Sequence, residues 1–366
     1  MIVQRVLLVT KGLDIGGIER IVVDLAVGLS GRGIAVEVAL VNDRRDRLSP
    51  LLAEHGITIH RLGGTDRIGL RAAVRLARLA AAQRFDIVHV HGPLPTVVVR
   101  LAPKHRPIVT TSHTVWSGLR WTTRLLWSLT ARRDSATIAV SAVVAESLPV
   151  RFGRRVIVLP HGVDRAAVER VLATRSVHPA GQASTTVTAI TVASHRDVKN
   201  YPNLLRAIAV ARAAGADLRL IAVGDGPDLE RHRAIADDLG LADVVTFEPP
   251  TLDALSAIAA ADFLVVASDF EGQPLVVVEA LALGRPVVAT AVGRVPELVN
   301  PAVGRVVAPG DPTALGQAIA EVAMNPSVRH ELSVSAKQQG GSWTLVDVLL
   351  AHMAVYRAVS EGSRRL

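Results

Sequence analysis

The residues best suited to chemistry are two glutamates, Glu271 and Glu279, on either side of a predicted helix start. Pro274 suits a first helical position and Gly284 the position after a last turn, so the spacing predicts a helix over 274–283. Its N-terminus would present unpaired backbone N–H groups and a positive dipole end, which suit a diphosphate. At 1.5 Å per residue, Glu279 lies about 7 to 8 Å further along the axis. The two carboxylates can therefore accept hydrogen bonds from hydroxyls on both sides of a diphosphate, such as those of a sugar and a ribose.

Alternating strands and helices must position these carboxylates. Runs such as 6–10, 87–91 and 263–266 are short and mainly aliphatic, and segments of helical periodicity separate them. Such runs are typical of parallel strands covered by helices on both faces. The pattern predicts an α/β protein with two Rossmann-like, doubly wound parallel-sheet domains. We expect these domains to face a cleft at the carboxyl ends of their strands.

The chain of 366 residues is long enough for two domains that each bury a core. The segment 175–186 is poor in large apolar residues and rich in Ser, Thr, Pro and Gly, and it predicts an interdomain linker. The predicted domains cover 1–170 and 171–342. Helical periodicity near the end predicts that a helix within 343–366 packs back on the first domain.

The composition excludes several classes of protein. Apolar residues make up 49% of the chain and charged residues only 20%, which argues against disorder. Mean hydropathy is +0.35, yet the apolar runs end far short of the ~20 residues of a membrane-spanning helix. Cysteine is absent, so disulfides and thiolate metal sites are excluded. Without a secretory signal either, the sequence favours a cytoplasmic location.

Positive charge is concentrated in the first half of the chain. Residues 1–170 hold 25 Lys and Arg against 13 Asp and Glu, a balance of +12, whereas 171–366 hold 16 against 20, a balance of −4. A basic domain suits nucleic acid, an anionic membrane surface or a phosphorylated substrate. No helix-turn-helix, zinc or aromatic RNA-binding motif accompanies the charge, so nucleic acid is not an expected partner.

Three of the four tryptophans lie in one stretch that predicts a helix over 115–129. Trp116, Arg120, Arg124 and Trp127 would lie along one side of this helix. Tryptophan and arginine together favour a bilayer interface. This pattern leads to the hypothesis of a peripheral protein on the inner face of the cytoplasmic membrane. The alternative is that the tryptophans pack inside the protein and the arginines are solvated.

The segment around the two glutamates resembles a family signature. From Glu271 to Thr290 it reads E-G-x-P-L-x-x-x-E-A-x-A-x-G-x-P-V-V-A-T, which is similar to retaining glycosyltransferases of family 4, glycosyl transferases group 1, with the GT-B fold. The resemblance extends over nearly the whole chain. Further matching motifs, in chain order, are Gly16-Gly17-Ile18-Glu19-Arg20, Thr111-Ser112-His113-Thr114, Pro160-His161-Gly162-Val163-Asp164, Val198-Lys199-Asn200-Tyr201-Pro202 and Val223-Gly224-Asp225-Gly226-Pro227.

The resemblance implies a retaining hexosyltransferase that uses a nucleoside diphosphate sugar as co-substrate and needs neither a metal nor a cofactor. The first domain would bind the acceptor, a glycan or lipid-linked precursor, and the second domain the donor. Three residues would be catalytic: Lys199 at the diphosphate, Glu271 at the hydroxyls of the donor sugar and His113 near the anomeric or C6 side of that sugar. Glu279 would hold the ribose hydroxyls. The other implied donor-binding residues are Gly16, Gly17, Arg196, Gly272, Gln273, Pro274 and Leu275.

Three positions depart from the family pattern. Where the family often has an arginine before the phosphate-binding lysine, this chain has Ser194, and Arg196 is the expected substitute. The usual Gly-Gly after the helix is Gly293-Arg294, and the usual asparagine of P-N-G-V-D is His161. The last two changes are expected to reshape the pocket around donor or acceptor.

Other interpretations stay open from the sequence. The chain could be a non-catalytic nucleotide-sugar-binding regulator or a GT-B sugar epimerase, and the two glutamates alone also fit a solvated loop and a surface salt bridge. A phosphorylase is disfavoured because no pyridoxal-lysine context occurs. The turn at 224–226 lacks the third glycine and the downstream acid of a dinucleotide site. His89 and His91 alternate on one strand face, but no carboxylate accompanies them at ligand spacing, so a metal site is not predicted.

Overall fold

The chain divides into two compact units, Met1–His161 with Leu345–Leu366, and Gly162–Thr344. The predicted linker lies, except for Thr186, outside the residues that the structure describes. Within the described ranges no helix combines the length and the apolar character needed to cross a membrane. The structure, a computed structural model, describes residues 3–44, 46–65, 68–82, 84–103, 106–149, 156–174 and 186–362.

A parallel sheet forms the centre of the first unit. Within the described residues its strands are β1 (Arg5–Thr10), β2 (Ala35–Asn42), β3 (Thr58–Gly64), β4 (Ile87–His91), β5 (Ile108–Ser112), β6 (Ala136–Ala139) and β7 (Val156–Val158). They pair in the order β3-β2-β1-β4-β5-β6-β7, with every pair parallel. Since the strand order reverses between β1 and β4, the carboxyl ends of these strands form a topological switch point, where α/β proteins bind ligands.

Helices surround this sheet. Because residues 6–9 of β1 are fully buried, successive side chains face packed layers on both sides, which explains why the strand lacks polar alternation. The α-helices that the structure describes in this unit are α1 (Gly17–Ser30), α2 (Ser49–Ala53), α3 (Leu70–Ala80), α4 (Pro93–Arg100), α5 (Trp121–Thr130), α6 (Ala142–Ser147) and, from the far end of the chain, α15 (Leu345–Ser360).

Helix α15 belongs to the core of the first unit. Its residues Leu349, Val355 and Tyr356 lie in the buried cluster that contains Val22 and other residues of α1. The two helices approach so closely at Gly28 that a Cβ atom there would lie 2.4 Å from Leu349 Cδ1. A glycine at this position of α1 therefore makes room for α15.

A buried ion pair joins α4 to the start of β6. Arg100 and Asp134 are each 1% exposed, and Arg100 Nε donates to Asp134 Oδ1 at 2.7 Å. Thr110 and Thr137 donate their hydroxyls to the other carboxylate oxygen, which also accepts from Arg100 Nη2. The guanidinium lies over the Trp127 ring, 4.2 Å from its centroid. The Asp134 carboxylate thus accepts four hydrogen bonds from three side chains. A buried charge needs such partners, because it has lost its hydrogen bonds to water.

The second unit repeats the doubly wound design. Within the described residues its strands are β8 (Val187–Val192), β9 (Leu218–Val223), β10 (Val245–Glu248), β11 (Phe263–Val266), β12 (Val287–Thr290) and β13 (Gly304–Val307). They pair in the parallel order β10-β9-β8-β11-β12-β13. The switch point of this sheet therefore lies between the carboxyl ends of β8 and β11.

The division between the units lies at 161/162, not at the predicted 170/171. The reason is that Val168, in the first helix after the division, packs with Ile258 and Val277 in a core of the second unit. The α-helices among the described residues of this unit are α7 (Arg165–Thr174), α8 (Tyr201–Ala213), α9 (Leu229–Asp238), α10 (Ala254–Ala260), α11 (Leu275–Ala282), α12 (Val295–Leu298), α13 (Pro312–Met324) and α14 (Pro326–Gly340).

Candidate functional site

Lys199 and Glu271 form an ion pair at the switch point of the second sheet. Lys199 ends a short 3₁₀ turn after β8, and Glu271 lies in the loop between β11 and α11. Lys199 Nζ donates to Glu271 Oε1 at 2.5 Å, and Ser268 Oγ donates to the same oxygen at 2.8 Å. The side chains are 24% and 12% exposed, so water screens the pair only partly. Two of the three predicted catalytic residues therefore lie together, because β8 and β11 are neighbours in the sheet.

Asn200 joins the two loops that carry this ion pair. Its φ is 45°, a left-handed conformation that asparagine tolerates better than most residues. The side chain caps α8 by accepting from the Asn203 N–H at 3.1 Å, and its Nδ2 donates to Asp269 Oδ1 at 2.7 Å. The Asp269 N–H in turn donates to the Val198 carbonyl at 2.9 Å. These bonds hold the lysine loop against the glutamate loop.

Two glycines of the G-D-G-P turn let a third loop approach the lysine loop. A Cβ at Gly224 would lie 2.0 Å from the Ala193 carbonyl oxygen, and one at Gly226 would lie 2.2 Å from the His195 carbonyl oxygen. The His195 N–H donates to the Asp225 carbonyl at 2.9 Å, which fixes this approach. The turn therefore supports the chain that leads to Lys199.

Helix α11 is one residue shorter at each end than predicted. Pro274 lies at the N-cap and not at the first helical position, and Gly284 follows the helix with φ +67°. Residues 272–274 are buried, whereas Leu275 and Glu279 are half-buried. Residues 272–275 are thus on or next to the N-terminus of α11, which carries a positive dipole end, whereas Glu279 lies one turn further along the helix.

Gly293 holds the glutamate loop from the other side. Its φ is +52°, and a Cβ there would lie 2.1 Å from the Glu271 carbonyl oxygen. The neighbouring Arg294 N–H donates to the Gly272 carbonyl at 3.2 Å. The Arg294 side chain, which stands where the family pattern has glycine, is bonded through Nε to Glu297 at 2.9 Å. This arginine therefore stabilises the loop after β12.

Arg196 differs from the other predicted donor-binding residues. It is exposed, and its side chain makes no hydrogen bond or ion pair with any described residue. The structure thus does not join it to Lys199 and Glu271, and its role at the diphosphate stays a prediction.

His113, Gly16 and Gly17 lie in the first unit. Gly16 is the N-cap and Gly17 the first residue of α1, and both are exposed. His113 directly follows β5, is half-buried and stacks on His161, with ring centroids 5.6 Å apart. Burial, together with a smaller contribution from repulsion by the nearby His352, lowers the pKa of His113 to about 4. His113 is therefore neutral at pH 7.

Further histidines surround His113. His91 Nδ1 lies 3.1 Å from His113 Nε2, at hydrogen-bond distance. His89 is fully buried, with Nδ1 2.6 Å from the Tyr356 hydroxyl and Nε2 2.7 Å from Thr111 Oγ1. Burial, followed by repulsion from neighbouring histidines, holds the pKa values of His89 and His91 well below the usual range. Within the described part of the chain, no group of three or more His, Asp or Glu is arranged to hold a metal ion.

The sequence pattern did not reveal that His91 contacts His113. One signal was available, because consecutive strands are often neighbours in a sheet. In the structure β4 pairs with β5, and His91 is the register partner of Thr111, two residues before His113. Both histidines thus lie at the carboxyl edge of the first sheet.

The prediction of a helix over 115–129 is wrong about where the helix begins and about which of its sides is exposed. A 3₁₀ turn at Trp116–Gly118 comes first, and α5 begins only at Trp121. Trp127 is 4% exposed and packs edge-on against Trp116, so these two tryptophans face the interior. The large apolar residues that the helix exposes are Trp121, Leu125, Leu126 and Leu129.

Comparison with known proteins finds two family descriptions, each of which matches one part of the chain. The family description Glycosyltransferase Family 4 matches residues 15–167, and Glycosyl transferases group 1 matches residues 177–339. A D-inositol 3-phosphate glycosyltransferase of Geodermatophilus obscurus is 30% identical over 95% of this chain and 86% of its own. An N-acetyl-alpha-D-glucosaminyl L-malate synthase of Bacillus anthracis is 23% identical over 70% of each chain.

Solved structures agree with the fold. The Anabaena protein Alr3699/HepE in complex with UDP and glucose superposes with a TM-score of 0.81 at 20% identity, over 97% of this chain and 100% of that one. The sucrose-phosphate synthase of Thermosynechococcus elongatus gives a TM-score of 0.79 at 19% identity, over 98% and 100% of the two chains. At this level of identity the likeness shows the fold, which is GT-B with two Rossmann-like units. Together with the matches over both units, it shows that the chain is a glycosyltransferase and belongs to family 4, glycosyl transferases group 1.

Proposed function

We propose that this glycosyltransferase moves a hexosyl unit from a nucleoside diphosphate sugar to an acceptor hydroxyl with retention of the anomeric configuration. The observation that carries the proposal is the pair of Lys199 and Glu271 beside the N-terminus of α11. A diphosphate that enters there would compete with Glu271 for the lysine ammonium. The exchange would leave the Glu271 carboxylate available to accept hydrogen bonds from sugar hydroxyls.

Catalysis needs fixed positive charge, because the departing diphosphate gains negative charge while the anomeric carbon becomes cationic. In the second unit, Lys199 supplies a full charge and backbone N–H groups near Pro274 supply neutral donors. Glu279 would hold the ribose hydroxyls, and neutral His113 would contact the sugar. The family resemblance implies a front-side displacement, in which a leaving phosphate oxygen takes the proton of the acceptor hydroxyl.

The donor is tested with a panel of UDP-, GDP- and ADP-sugars, first by thermal shift and then by product analysis. Uridine nucleotides come first, since one structural relative was solved with UDP and glucose. The anomeric configuration of the product, read by NMR, tests retention. Binding without any transfer would favour a non-catalytic regulator, and a changed sugar without an acceptor product would favour an epimerase.

We expect transfer to continue in EDTA. In the proposed site, Lys199 and the helix N-terminus neutralise the diphosphate, a task that Mg²⁺ performs in other nucleotide enzymes. The measurement is turnover before and after dialysis against EDTA. A loss of activity that Mg²⁺ or Mn²⁺ restores would show instead that a metal ion carries this role.

We further propose that the acceptor is lipid-linked and that the enzyme lies on an anionic membrane surface. The supporting observation is the exposed apolar side of α5, where Trp121, Leu125 and Leu129 recur at four-residue spacing and are 69%, 51% and 72% exposed. Exposed Arg132 and Arg133 follow directly after the helix. Apolar side chains bordered by arginines suit the boundary between acyl chains and anionic headgroups.

Liposome flotation tests this membrane proposal. Each basic residue near an anionic surface contributes about 1 kcal/mol, so Arg132→Glu with Arg133→Glu should weaken binding to anionic vesicles by about tenfold or more. Leu125→Ser with Leu129→Ser should also weaken it. Leu70→Ser is the matched control, because Leu70 is 81% exposed and belongs to α3 of the same unit, not to α5.

A wild-type protein that stays in solution with anionic vesicles at low salt would contradict the membrane proposal. The acceptor would then be soluble. Because one relative is named D-inositol 3-phosphate glycosyltransferase, a phosphorylated polyol would be the next acceptor to test.

A further inference from the structure

His91 differs from its neighbour His89 in how its ring nitrogens are satisfied. Both nitrogens of His89 have partners, Tyr356 and Thr111, so His89 is fully explained as part of the core. His91 is 1% exposed, and its Nε2 is buried without a partner among the described residues. Its hydrogen bond to His113 is the polar contact that accounts for a polar ring at this position. Without this hydrogen bond, an apolar side chain would suit the position better than His91, because its burial has a lower desolvation cost.

We propose that His91 is a positioning residue that holds His113 in the tautomer protonated on Nδ1. This inference rests on the proposed function, in which His113 contacts the donor sugar. The bond between His91 Nδ1 and His113 Nε2 needs one proton, and either ring can provide it. If His113 provided it, His91 would carry its own proton on Nε2, as a buried donor without an acceptor. Native structures leave buried backbone N–H donors unpaired less often than carbonyl acceptors, and we expect the same preference for ring nitrogens.

The direction of this bond determines what His113 offers to a substrate. With Nε2 accepting from His91, the remaining proton of neutral His113 is on Nδ1. No described residue forms a hydrogen bond with Nδ1. His113 then presents an N–H donor to a sugar oxygen, in an orientation fixed by His91 on one edge and by the stacked His161 ring on its face. A second-residue bond of this kind commonly sets the tautomer of a functional histidine.

The activity test replaces His91 with residues that keep or remove its hydrogen bond. His91→Leu removes the bond but fills the site with apolar volume. Because a neutral hydrogen bond contributes modestly, we expect kcat to fall by about fivefold to tenfold while KM for the donor changes little. Unfolding of this variant should occur at the same or a higher urea concentration, because a poorly satisfied buried ring is lost. His91→Asn, whose amide can donate from nearly the Nδ1 position, should restore most of kcat.

The control is His352→Leu. His352 is 2% exposed in the same cluster, but its Nδ1 bonds to the Val348 carbonyl of its own helix. We expect this variant to keep the kcat of the wild type. An unchanged kcat in His91→Leu, or an equal loss in His352→Leu, would overturn the proposal.

A spectroscopic test does not depend on turnover. Proteins labelled with ¹⁵N on the histidine rings are compared at pH 7 as wild type, His91→Leu and His113→Gln, the last to assign the signals. We expect protonated Nδ1 and unprotonated Nε2 for His113 in the wild type, and a mixture of both tautomers in His91→Leu. A wild-type His113 protonated on Nε2 would overturn the inference even in an active enzyme. Absence of transfer with every donor would instead count against the proposed function.

Discussion

Lys199→Met should lower kcat/KM for the nucleoside diphosphate sugar by about tenfold to a hundredfold. Hydrogen bonds to charged groups contribute about 1.5 to 3 kcal/mol, and 1.4 kcal/mol corresponds to a factor of ten. Methionine keeps most of the aliphatic length of lysine, so the loop should still pack. The measurement is steady-state kinetics with the donor varied, together with the binding of the free nucleoside diphosphate.

Glu279→Ala should produce a loss of similar size, because it would remove the acceptor for ribose hydroxyls. The matched control for Lys199→Met is Lys337→Met, since Lys337 is exposed on α14 of the same unit. Circular dichroism and urea unfolding should show intact folds for all three variants. Wild-type turnover in Lys199→Met or Glu279→Ala would remove that residue from the proposed donor site.

Arg100→Met should produce the largest loss of stability, about 3 to 5 kcal/mol in the free energy of unfolding at pH 7. The substitution leaves the Asp134 carboxylate buried with hydroxyl donors alone. The measurement is urea unfolding of the purified protein, followed by a signal from the first unit. Arg100→Met with Asp134→Asn should recover part of the loss, because no uncompensated charge remains.

The loss should depend on pH in a defined direction. Burial raises the pKa of Asp134 in the wild type, even though Arg100 opposes the shift. Without Arg100 the folded-state pKa rises further above the unfolded value. A raised folded pKa contributes stability that is fully present below the unfolded pKa and is lost as pH rises through the folded pKa. The difference between variant and wild type should therefore shrink as pH falls from 7 toward 4, and a constant difference would contradict this explanation.

Strands were the part of the fold that sequence pattern predicted best. The run 87–91 is β4 and the run 263–266 is β11, with the same ends, and 6–10 is β1 without its first residue. These strands are buried on both faces, so their boundaries coincide with changes in hydrophobicity. Helices α13 and α14 were not predicted. The buried side of α14 consists of Leu332, Ala336 and Gly340, two of which are small, so its apolar periodicity is weak.

The stretch 115–129 shows where periodicity is insufficient. Tryptophan, leucine and arginine occur on all sides of α5, and spacing alone does not decide which side is buried. Tertiary packing decides it, since the Arg100 guanidinium lies over Trp127 while Trp121 remains exposed.

The candidate site, too, could be predicted only in part: its residues were named from the sequence, but their contacts were not. Family resemblance named Lys199, Glu271 and His113, but the contact between Lys199 and Glu271 spans 72 positions and follows from the order of strands. Spacing along the chain carries no information about such a contact. Likewise, the bond from His91 to His113 depends on the pairing of β4 with β5.

The return of α15 to the first unit has a consequence for biosynthesis. The ribosome makes residues 345–360 only after the whole of the second unit, yet Leu349 and Tyr356 complete the core around α1 and the bonds of His89. The first unit therefore emerges with part of its apolar surface exposed, although domains usually fold in the order in which they are made. Until α15 has been synthesised and has packed, chaperones that bind apolar surfaces could bind along α1. In a fragment that ends at residue 161, this surface of α1 would stay exposed.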